Sequence, residues 1–219
     1  MTARWGVIVV DLQGDFTEAN AGALAVPGTG EAYLEAVCSA CKRLFDRGVP
    51  LYATQDWHPA DHVSFFSNHP GRKPFEVISI EGREQVLWPP HCVQGTAKAE
   101  VLLEPALLRA VVKKGMDRRF DSYSGFRDDG GAATELERIL QSDGIGELLV
   151  FGLATDYCVK ATALDAVRAG YRVTLVEGLC RGVAPETSAT ALAEMKQAGV
   201  TVEADLEAVL QRMPPLPRS

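Results

Sequence analysis

Cys158 is a candidate nucleophile because of the sequence that surrounds it. The apolar run 148–151 predicts a strand buried on both faces, as in the middle of a parallel sheet. Thr155 and Asp156 are good N-cap residues, and residues 157–168 have the spacing of a helix. Cys158 is therefore expected in the first turn of a helix, just beyond the carboxyl end of a central strand. Ligands bind at such positions in α/β sheets, and the helix dipole there is expected to lower the pKa of the thiol.

Two other predicted strands end in groups that could assist this thiol. Asp11 follows the apolar strand 5–10, and a lysine at position 113 or 114 follows the strand-like residues 110–112. Because parallel strands end at the same edge of a sheet, these groups can converge although they are far apart in the sequence. A cysteine would then attack, a carboxylate would take its proton, and a lysine would hold the carboxylate. Each residue also has an ordinary structural explanation, as a cap, a solvated lysine or a core cysteine.

A second cluster has the composition of a metal site. Asp56 and His58 are two residues apart at a strand end, so their side chains point the same way. His91 would add a third ligand and leave positions open for water or substrate, and His62 lies in the same loop. The alternative is that these stretches only form turns.

The order of elements predicts the fold. Strands alternate with helices about a dozen residues long, which indicates one α/β domain over residues 1–219, with a doubly wound sheet of six mainly parallel strands flanked by helices. The region around 57–110 is expected to be a long loop insertion, with its inserted part at about 63–87, and about 213–219 an extended tail. The strands are predicted at 5–10, 50–54, 110–112, 148–151, 171–176 and 200–202, and the helices at 31–46, 132–141, 157–168, 185–197 and from 205.

Composition and missing motifs narrow the functional classes. The formal net charge of −7 disfavours a nucleic acid or an anionic membrane as partner. No apolar run approaches the roughly 18 to 20 residues that span a bilayer, and the chain enters its first strand almost at once. We therefore expect no membrane partner and no signal peptide, and predict a cytoplasmic protein. The sequence has no phosphate-binding glycine motif, so it does not indicate a dinucleotide-binding or P-loop protein. An odd number of cysteines, five, indicates free thiols, with Cys38, Cys41 and Cys180 serving packing.

Several motifs together resemble the nicotinamidase family of the isochorismatase-like cysteine hydrolases. The resemblance runs from about residue 7 to 202, and the motifs occur in the family's order. They are Asp-Leu-Gln-Gly-Asp-Phe at 11–16, Asp-Trp-His-Pro at 56–59, Trp-Pro-Pro-His-Cys-Val-Gln-Gly-Thr at 88–96, Lys-Gly at 114–115 with Ser-Tyr-Ser-Gly-Phe at 122–126, and Gly-Leu-Ala-Thr-Asp-Tyr-Cys-Val at 152–159.

The resemblance implies a role for each catalytic group. It makes Asp11, Lys114 and Cys158 a catalytic triad, and it selects Lys114 over its neighbour because the Lys-Gly pair keeps its distance to Ser-Gly-Phe. The backbone N–H groups of Ala154 and Cys158 match an oxyanion hole, with a cis peptide bond before Ala154. The implied activity is hydrolysis of nicotinamide to nicotinate and ammonia through a cysteine thioester, in NAD salvage.

The resemblance also implies a metal and a ring pocket. Asp56, His58 and His91 match the ligands of one divalent ion, expected to be zinc with iron or manganese as alternatives, and His62 lies where some members have a further ligand. Residues that match the walls around the substrate ring are Phe16, Trp88 and Tyr123. The expected substrates are nicotinamide and pyrazinamide, and the resemblance leaves room for a homo-oligomer. The alternative is a related amidase for ureido or carbamoyl substrates, although such relatives typically lack this metal set.

Overall fold

Six strands form a sheet in which every neighbouring pair is parallel. The structure, a computed structural model, describes residues 4–213. The strands of the sheet are β1 (Arg4–Val10), β2 (Leu51–Asp56), β5 (Leu108–Lys114), β6 (Ile145–Leu153), β7 (Arg172–Arg181) and β8 (Thr201–Glu203). Their order in the sheet is β5-β2-β1-β6-β7-β8. The predicted fold, a single α/β domain with a six-stranded parallel sheet, is confirmed.

Apolar composition places β1 and β6 at the centre of the sheet. Residues 7–10 of β1 and 148–151 of β6 are fully buried, as expected for strands covered on both faces. Chain order reverses between these two strands, because β2 and β5 lie on one side and β7 and β8 on the other. Ligands of open α/β sheets bind beyond the strand ends at such a reversal. Asp11 and Cys158 therefore follow the two strands that flank this point.

Within residues 4–213, five α-helices connect or follow the strands. Helices α1 and α4 begin and end where the sequence predicts them, whereas α2 starts four residues later than the predicted 132. The reason lies in Thr134, whose N–H donates to the Phe126 carbonyl while its hydroxyl donates to the Gly125 carbonyl, so the chain here is held against a neighbouring loop. The helices are α1 (Glu31–Asp46), α2 (Leu136–Ser142), α3 (Lys160–Arg168), α4 (Pro185–Gln197) and α5 (Leu206–Leu210).

The helix predicted at 157–168 is divided in two. Residues Thr155–Val159 form a single π-type turn, and α3 begins after it. The N-cap residue of the turn is Ala154, and it makes no side-chain cap hydrogen bond. The prediction that Thr155 or Asp156 caps this helix is therefore wrong. The carboxylate of Asp156 instead accepts hydrogen bonds from the start of α4.

The region 57–110 is irregular, as expected, but it contains a hairpin that was not predicted. Strands β3 (Val77–Ile80) and β4 (Arg83–Val86) pair antiparallel within the expected insertion. Glu81 and Gly82 form the turn between them, both with positive φ, at 51° and 80°. A two-residue loop with positive φ at both positions matches the right-handed twist of the flanking strands.

Two smaller expectations concern the cysteines and the tail. All five cysteines are free, with Cys41 and Cys180 buried and Cys38 partly buried. Most of the expected extended tail, residues 214–219, lies outside the described residues.

Among the helices that the structure describes, none has the length and apolar character needed to cross a membrane.

Candidate active site

The three groups predicted from strand ends meet at one buried point. The Nζ atom of Lys114 lies 3.0 Å from Oδ2 of Asp11 and 3.4 Å from Sγ of Cys158. All three residues are buried. Lys113 points the other way, with its Nζ 3.8 Å from the centre of the Trp57 ring. Because successive side chains of a strand point to opposite faces, only one of the two lysines can reach the site.

The Asp11 carboxylate is held by a neighbouring strand. The Thr54 hydroxyl donates to Oδ1 of Asp11 at 2.6 Å and accepts from the Asp11 N–H at 3.1 Å. The other oxygen, Oδ2, faces Lys114, and a carboxylate oxygen of Asp11 lies within 4.8 Å of the Cys158 sulfur. One oxygen of the carboxylate is thus used for orientation and the other pairs with Lys114, while the carboxylate as a whole lies close enough to the thiol to take its proton.

The pKa values of the Cys158 thiol and the Asp11 carboxyl are both raised, which suits proton transfer from the thiol to the carboxylate. Burial raises the pKa of Cys158 well above its usual value, with Lys114 opposing the rise and Asp11 adding to it. The expected lowering of this pKa by the helix dipole is therefore wrong, because the thiol is enclosed beside two carboxylates. Burial also raises the pKa of Asp11, partly offset by Lys114. A neutral thiol beside a carboxyl of raised pKa needs that carboxyl as its proton acceptor.

Lys114 is surrounded by acceptors. Its ammonium donates to Oδ1 of Asp56 and, at 2.8 Å, to the Ser122 carbonyl, in addition to its contacts with the thiol and Asp11. Burial alone would lower the pKa of Lys114, but the charges of Asp11 and Asp56 hold it well above its usual value. A permanently charged ammonium here stabilises negative charge on its neighbours.

The predicted metal ligands also converge. Donor atoms of Asp56, His58 and His91 all lie within 4.8 Å of one another, and all three residues are buried. The Nδ1 atom of His58 lies 2.9 Å from the Gly115 carbonyl, and that of His91 lies 2.8 Å from the Pro89 carbonyl. A carbonyl only accepts, so each Nδ1 carries a proton. Burial would lower the pKa of His58, but the charge of Asp56, whose Oδ2 lies 3.5 Å from Nε2 of His58, raises it. A bound cation would take the place of the proton at this Nε2.

The electrostatics of this group also suit a cation. Burial would raise the pKa of Asp56, but the charges of Lys114 and His58 hold it below its usual range. Burial and the nearby His58 lower the pKa of His91 to about 4. An ionised carboxylate and a neutral imidazole are the forms that bind a metal. Two histidines and one carboxylate therefore fit a divalent ion at this point.

His62 is close to this group but is engaged elsewhere. Its Nδ1 lies 2.8 Å from the Ser64 hydroxyl oxygen, and its Nε2 lies 3.0 Å from the Phe120 carbonyl. Its ring centre is 4.3 Å from that of His58, so the two rings pack together. Both nitrogens already have partners, and the structure does not bring His62 into the set of facing donors.

A cavity lies between the triad and the metal donors. The predicted ring-wall residues Phe16, Trp88 and Tyr123 all line it, together with Cys158 and His91. Most of the remaining wall is apolar, which suits a small planar ring. The further lining residues are Leu24, Val26, Asp56, Asp121, Ser122, Leu153, Ala154, Tyr157 and Val183.

The aromatic wall is held together by its own contacts. The Trp88 indole N–H donates to the Tyr123 hydroxyl at 3.1 Å. The ring of Tyr157 stands edge-on to Trp88, with ring centres 5.2 Å apart, and lies 5.7 Å from Tyr123. Tyr157 was not predicted as a wall residue, although its place beside Cys158 in the last motif was a usable signal.

The backbone before Cys158 contains the cis peptide bond that the resemblance implies, between Leu153 and Ala154. The Ala154 carbonyl accepts from the N–H groups of Tyr157 and Val159, at 3.0 and 3.1 Å, and not from the N–H of Cys158 between them.

Other residues that support the site were missed from the sequence. The Gln13 side chain clamps the backbone of Asp56, donating to its carbonyl and accepting from its N–H, each at 2.8 Å. In the hairpin, Gln85 donates to Oδ2 of Asp121, a cavity residue, at 3.0 Å. These contacts join segments far apart in sequence, so no local pattern could have revealed them.

Comparison with known proteins gives the same family from several directions. The Isochorismatase domain model matches residues 6–205. A nicotinamidase of Escherichia coli is 44% identical over 205 residues, covering 90% of this chain and 92% of that protein. A solved Acinetobacter baumanii nicotinamidase pyrazinamidase has a TM-score of 0.84 and 36% identity, covering 96% of this chain and 99% of its own. A Pyrococcus horikoshii pyrazinamidase in complex with zinc has a TM-score of 0.77 and 34% identity, covering 91% and 98%. The chain therefore belongs to the isochorismatase family, in the group that contains the nicotinamidases.

Proposed function

We propose that this protein hydrolyses nicotinamide to nicotinate and ammonia through a thioester on Cys158. The observation that carries the proposal is the buried contact of Lys114 with both Asp11 and Cys158. Cys158 opens from this contact onto a cavity whose wall also includes two of the metal donors, Asp56 and His91. Its similarity to nicotinamidases over most of the chain supports the choice of substrate.

The first half of the reaction forms the thioester. The Cys158 sulfur attacks the amide carbon while its proton passes to Asp11, giving a tetrahedral intermediate. Asp11 then delivers this proton to the amide nitrogen, the carbon–nitrogen bond breaks, and ammonia leaves. Lys114 stays charged throughout, holding Asp11 and stabilising negative charge beside the sulfur.

The second half returns the enzyme to its starting state. A water molecule attacks the thioester carbon and gives one proton to Asp11. Asp11 returns this proton to the sulfur as the carbon–sulfur bond breaks, which restores the thiol and releases nicotinic acid, ionised as nicotinate. In both halves, the N–H groups of Ala154 and Cys158 would donate to the oxyanion. Each such donor is worth about 3 to 4 kcal/mol in comparable sites.

Asp56, His58 and His91 would hold one divalent ion, which we propose is zinc, with iron or manganese as alternatives. When bound, the ion supplies a Lewis acid for the pyridine nitrogen and so orients the ring. Phe16, Trp88 and Tyr123 enclose the ring faces, so that the amide carbon lies against the thiol. The same walls should accept pyrazinamide, which keeps a ring nitrogen in that position.

A homo-oligomer and a cytoplasmic location stay predictions. Analytical ultracentrifugation tests the first, and cell fractionation tests the second.

Ammonia release tests the reaction. Wild-type protein should release ammonia from nicotinamide and from pyrazinamide, and a rapidly quenched sample should carry a nicotinoyl group on Cys158 by mass spectrometry. Cys158→Ala should lose both signals while keeping the fold. Normal turnover by Cys158→Ala would exclude the covalent route. A wild-type preference for ureido or carbamoyl compounds over nicotinamide would exclude the proposed substrate.

A further inference from the structure

We propose that Asp156 is a positioning residue, which fixes the turn carrying Cys158 by clamping it to the start of α4. This inference rests on the proposed function of Cys158 as the nucleophile. Asp156 lies in the π-type turn, two residues after Ala154 and two before Cys158. Asp156 is only 6% exposed. It is not one of the described residues that line the cavity.

The Asp156 carboxylate makes three hydrogen bonds, all to the segment that begins α4. Oδ1 accepts from the Val183 N–H at 3.0 Å. Oδ2 accepts from the Ala184 N–H at 3.2 Å and from the Thr187 hydroxyl. Both carboxylate oxygens are therefore used, and neither is free to serve the substrate.

These contacts give α4 a cap that its own sequence lacks. Ala184 is the N-cap residue and offers no side-chain cap, and Pro185 at the first helical position has no N–H. A carboxylate from another element instead accepts from the N–H of the N-cap residue, Ala184, and from the N–H before it. A negative charge near a helix N-terminus is also stabilised by the helix dipole. The thirteen-residue helix is thus a firm support for the turn.

The chain is shaped to let the two elements approach. Gly182 lies between β7 and α4, and a Cβ atom there would stand 1.8 Å from the Ser188 hydroxyl oxygen and 3.3 Å from Oδ1 of Asp156. A larger residue at 182 would force the Ser188 hydroxyl to rotate and would crowd the Ser188 Cβ, at 3.0 Å, and the Asp156 carboxylate. The close contact is therefore built into the sequence on both sides.

The position of Asp156 in the turn connects this clamp to catalysis. The two proposed oxyanion donors, the N–H groups of Ala154 and Cys158, lie on either side of it. Donors of this kind act because they are already aligned before the charge develops, so a rotation of the turn would weaken both at once. The same rotation would move the Cys158 sulfur away from Asp11 and Lys114.

The structure supplies a matched set of variants. Asp156→Asn keeps the size of the side chain but turns an amide N–H₂ toward donors that need an acceptor. Thr187→Val removes the hydroxyl that bonds Asp156 and that also lies 3.2 Å from the Ala184 carbonyl, and Thr187→Ser keeps it. Thr190→Val is the control, because the Thr190 hydroxyl lies one turn further along α4 and donates to the Glu186 carbonyl.

Three measurements on metal-loaded protein distinguish a positioning role of Asp156 from a helix cap alone. The first is kcat and KM for nicotinamide, the second is the rate at which iodoacetamide alkylates Cys158 per folded molecule, and the third is Tm. We expect Asp156→Asn to lower kcat about 10- to 100-fold with KM within twofold, and to alkylate several times faster, because the enclosed thiol becomes accessible. Thr187→Val should follow with a smaller loss of kcat, about threefold to tenfold. Thr187→Ser and Thr190→Val should behave as wild type.

A lower Tm in Asp156→Asn and Thr187→Val, with unchanged kcat and alkylation per folded molecule, would overturn the proposal and leave Asp156 as a helix cap only. An equal loss in Thr190→Val would overturn it as well. Alkylation does not depend on the identity of the substrate. Failure of wild-type protein to release ammonia would therefore count against the proposed function, while the alkylation rates would still decide the role of Asp156.

Discussion

At the scale of single residues, the proposed base depends on Thr54. Burial raises the pKa of Asp11, and the hydrogen bond from the Thr54 hydroxyl offsets part of that rise. The same hydroxyl also accepts from the Asp11 N–H, so the carboxylate is held at two points. One neighbour thus fixes the direction of the group that takes the thiol proton and also moderates its pKa.

Thr54→Val should slow the reaction and shift its pH dependence. Without the hydroxyl, the pKa of Asp11 rises further, so the ionised form is reached only at higher pH. We expect kcat to fall about tenfold and the acid limb of kcat/KM for nicotinamide to move upward. Thr54→Ser keeps the hydroxyl and should retain the wild-type profile. A valine variant with an unshifted acid limb would show that Asp11 is not the group that titrates.

The reacting residues could be predicted from the sequence, whereas their supports could not. Asp11 and Cys158 follow strongly apolar strands, so their positions at the strand ends are local information. The choice of Lys114 needed the motif, and in the structure it follows from the alternation of side chains along β5. Thr54 lies inside an ordinary strand, and only the parallel pairing of β1 with β2 brings its hydroxyl to Asp11.

At the scale of elements, the ends of β2 and β5 set the metal donors. Asp56 and Lys114 are paired in register at these ends. The chain then turns at Gly115, with φ of 64°, and its carbonyl fixes the proton on His58. A Cβ atom at position 115 would lie 2.3 Å from the His58 ring, so only glycine allows this approach.

Metal content should distinguish His58 from His62. His58→Gln removes a donor from the facing group, so we expect the purified variant to lose most of its bound metal. His62→Gln should keep about one ion per chain, because both nitrogens of His62 are already used by the protein. Elemental analysis after dialysis against a weak chelator measures both. Loss of metal in His62→Gln equal to that in His58→Gln would make His62 a ligand after all.

Elements with a strong local pattern were predictable, and elements decided by distant contacts were not. Helices α1 and α4 have clear helical spacing, with Pro185 at the first helical position of α4, and match the predictions. The π-type turn at Thr155–Val159 is joined to α4 by hydrogen bonds of Asp156 that no local signal contains. The hairpin at 77–86 did have a signal, the Glu-Gly pair between two short runs, but it was overlooked within a polar insertion.

At the scale of the whole molecule, buried histidines make the fold sensitive to acid. Burial and the nearby His58 lower the pKa of His62 to about 4, from an ordinary value of 6.5. Below pH 6.5, the unfolded chain binds a proton at this position that the folded protein does not bind. The resulting stability is complete above about pH 6.5 and is lost as the pH falls toward 4.

Acid should therefore destabilise wild-type protein more than His62→Gln. Between pH 7.5 and 5.5, linkage predicts that wild type loses about 1 kcal/mol more unfolding free energy than the variant, since only wild type has the histidine. Urea unfolding at both pH values, followed by tryptophan fluorescence under identical metal conditions, measures the difference. Both proteins keep His58 and His91, so the comparison isolates His62 together with its coupling to His58. Equal losses in the two proteins would contradict this prediction. They would mean that folded His62 binds a proton as readily as the unfolded chain does.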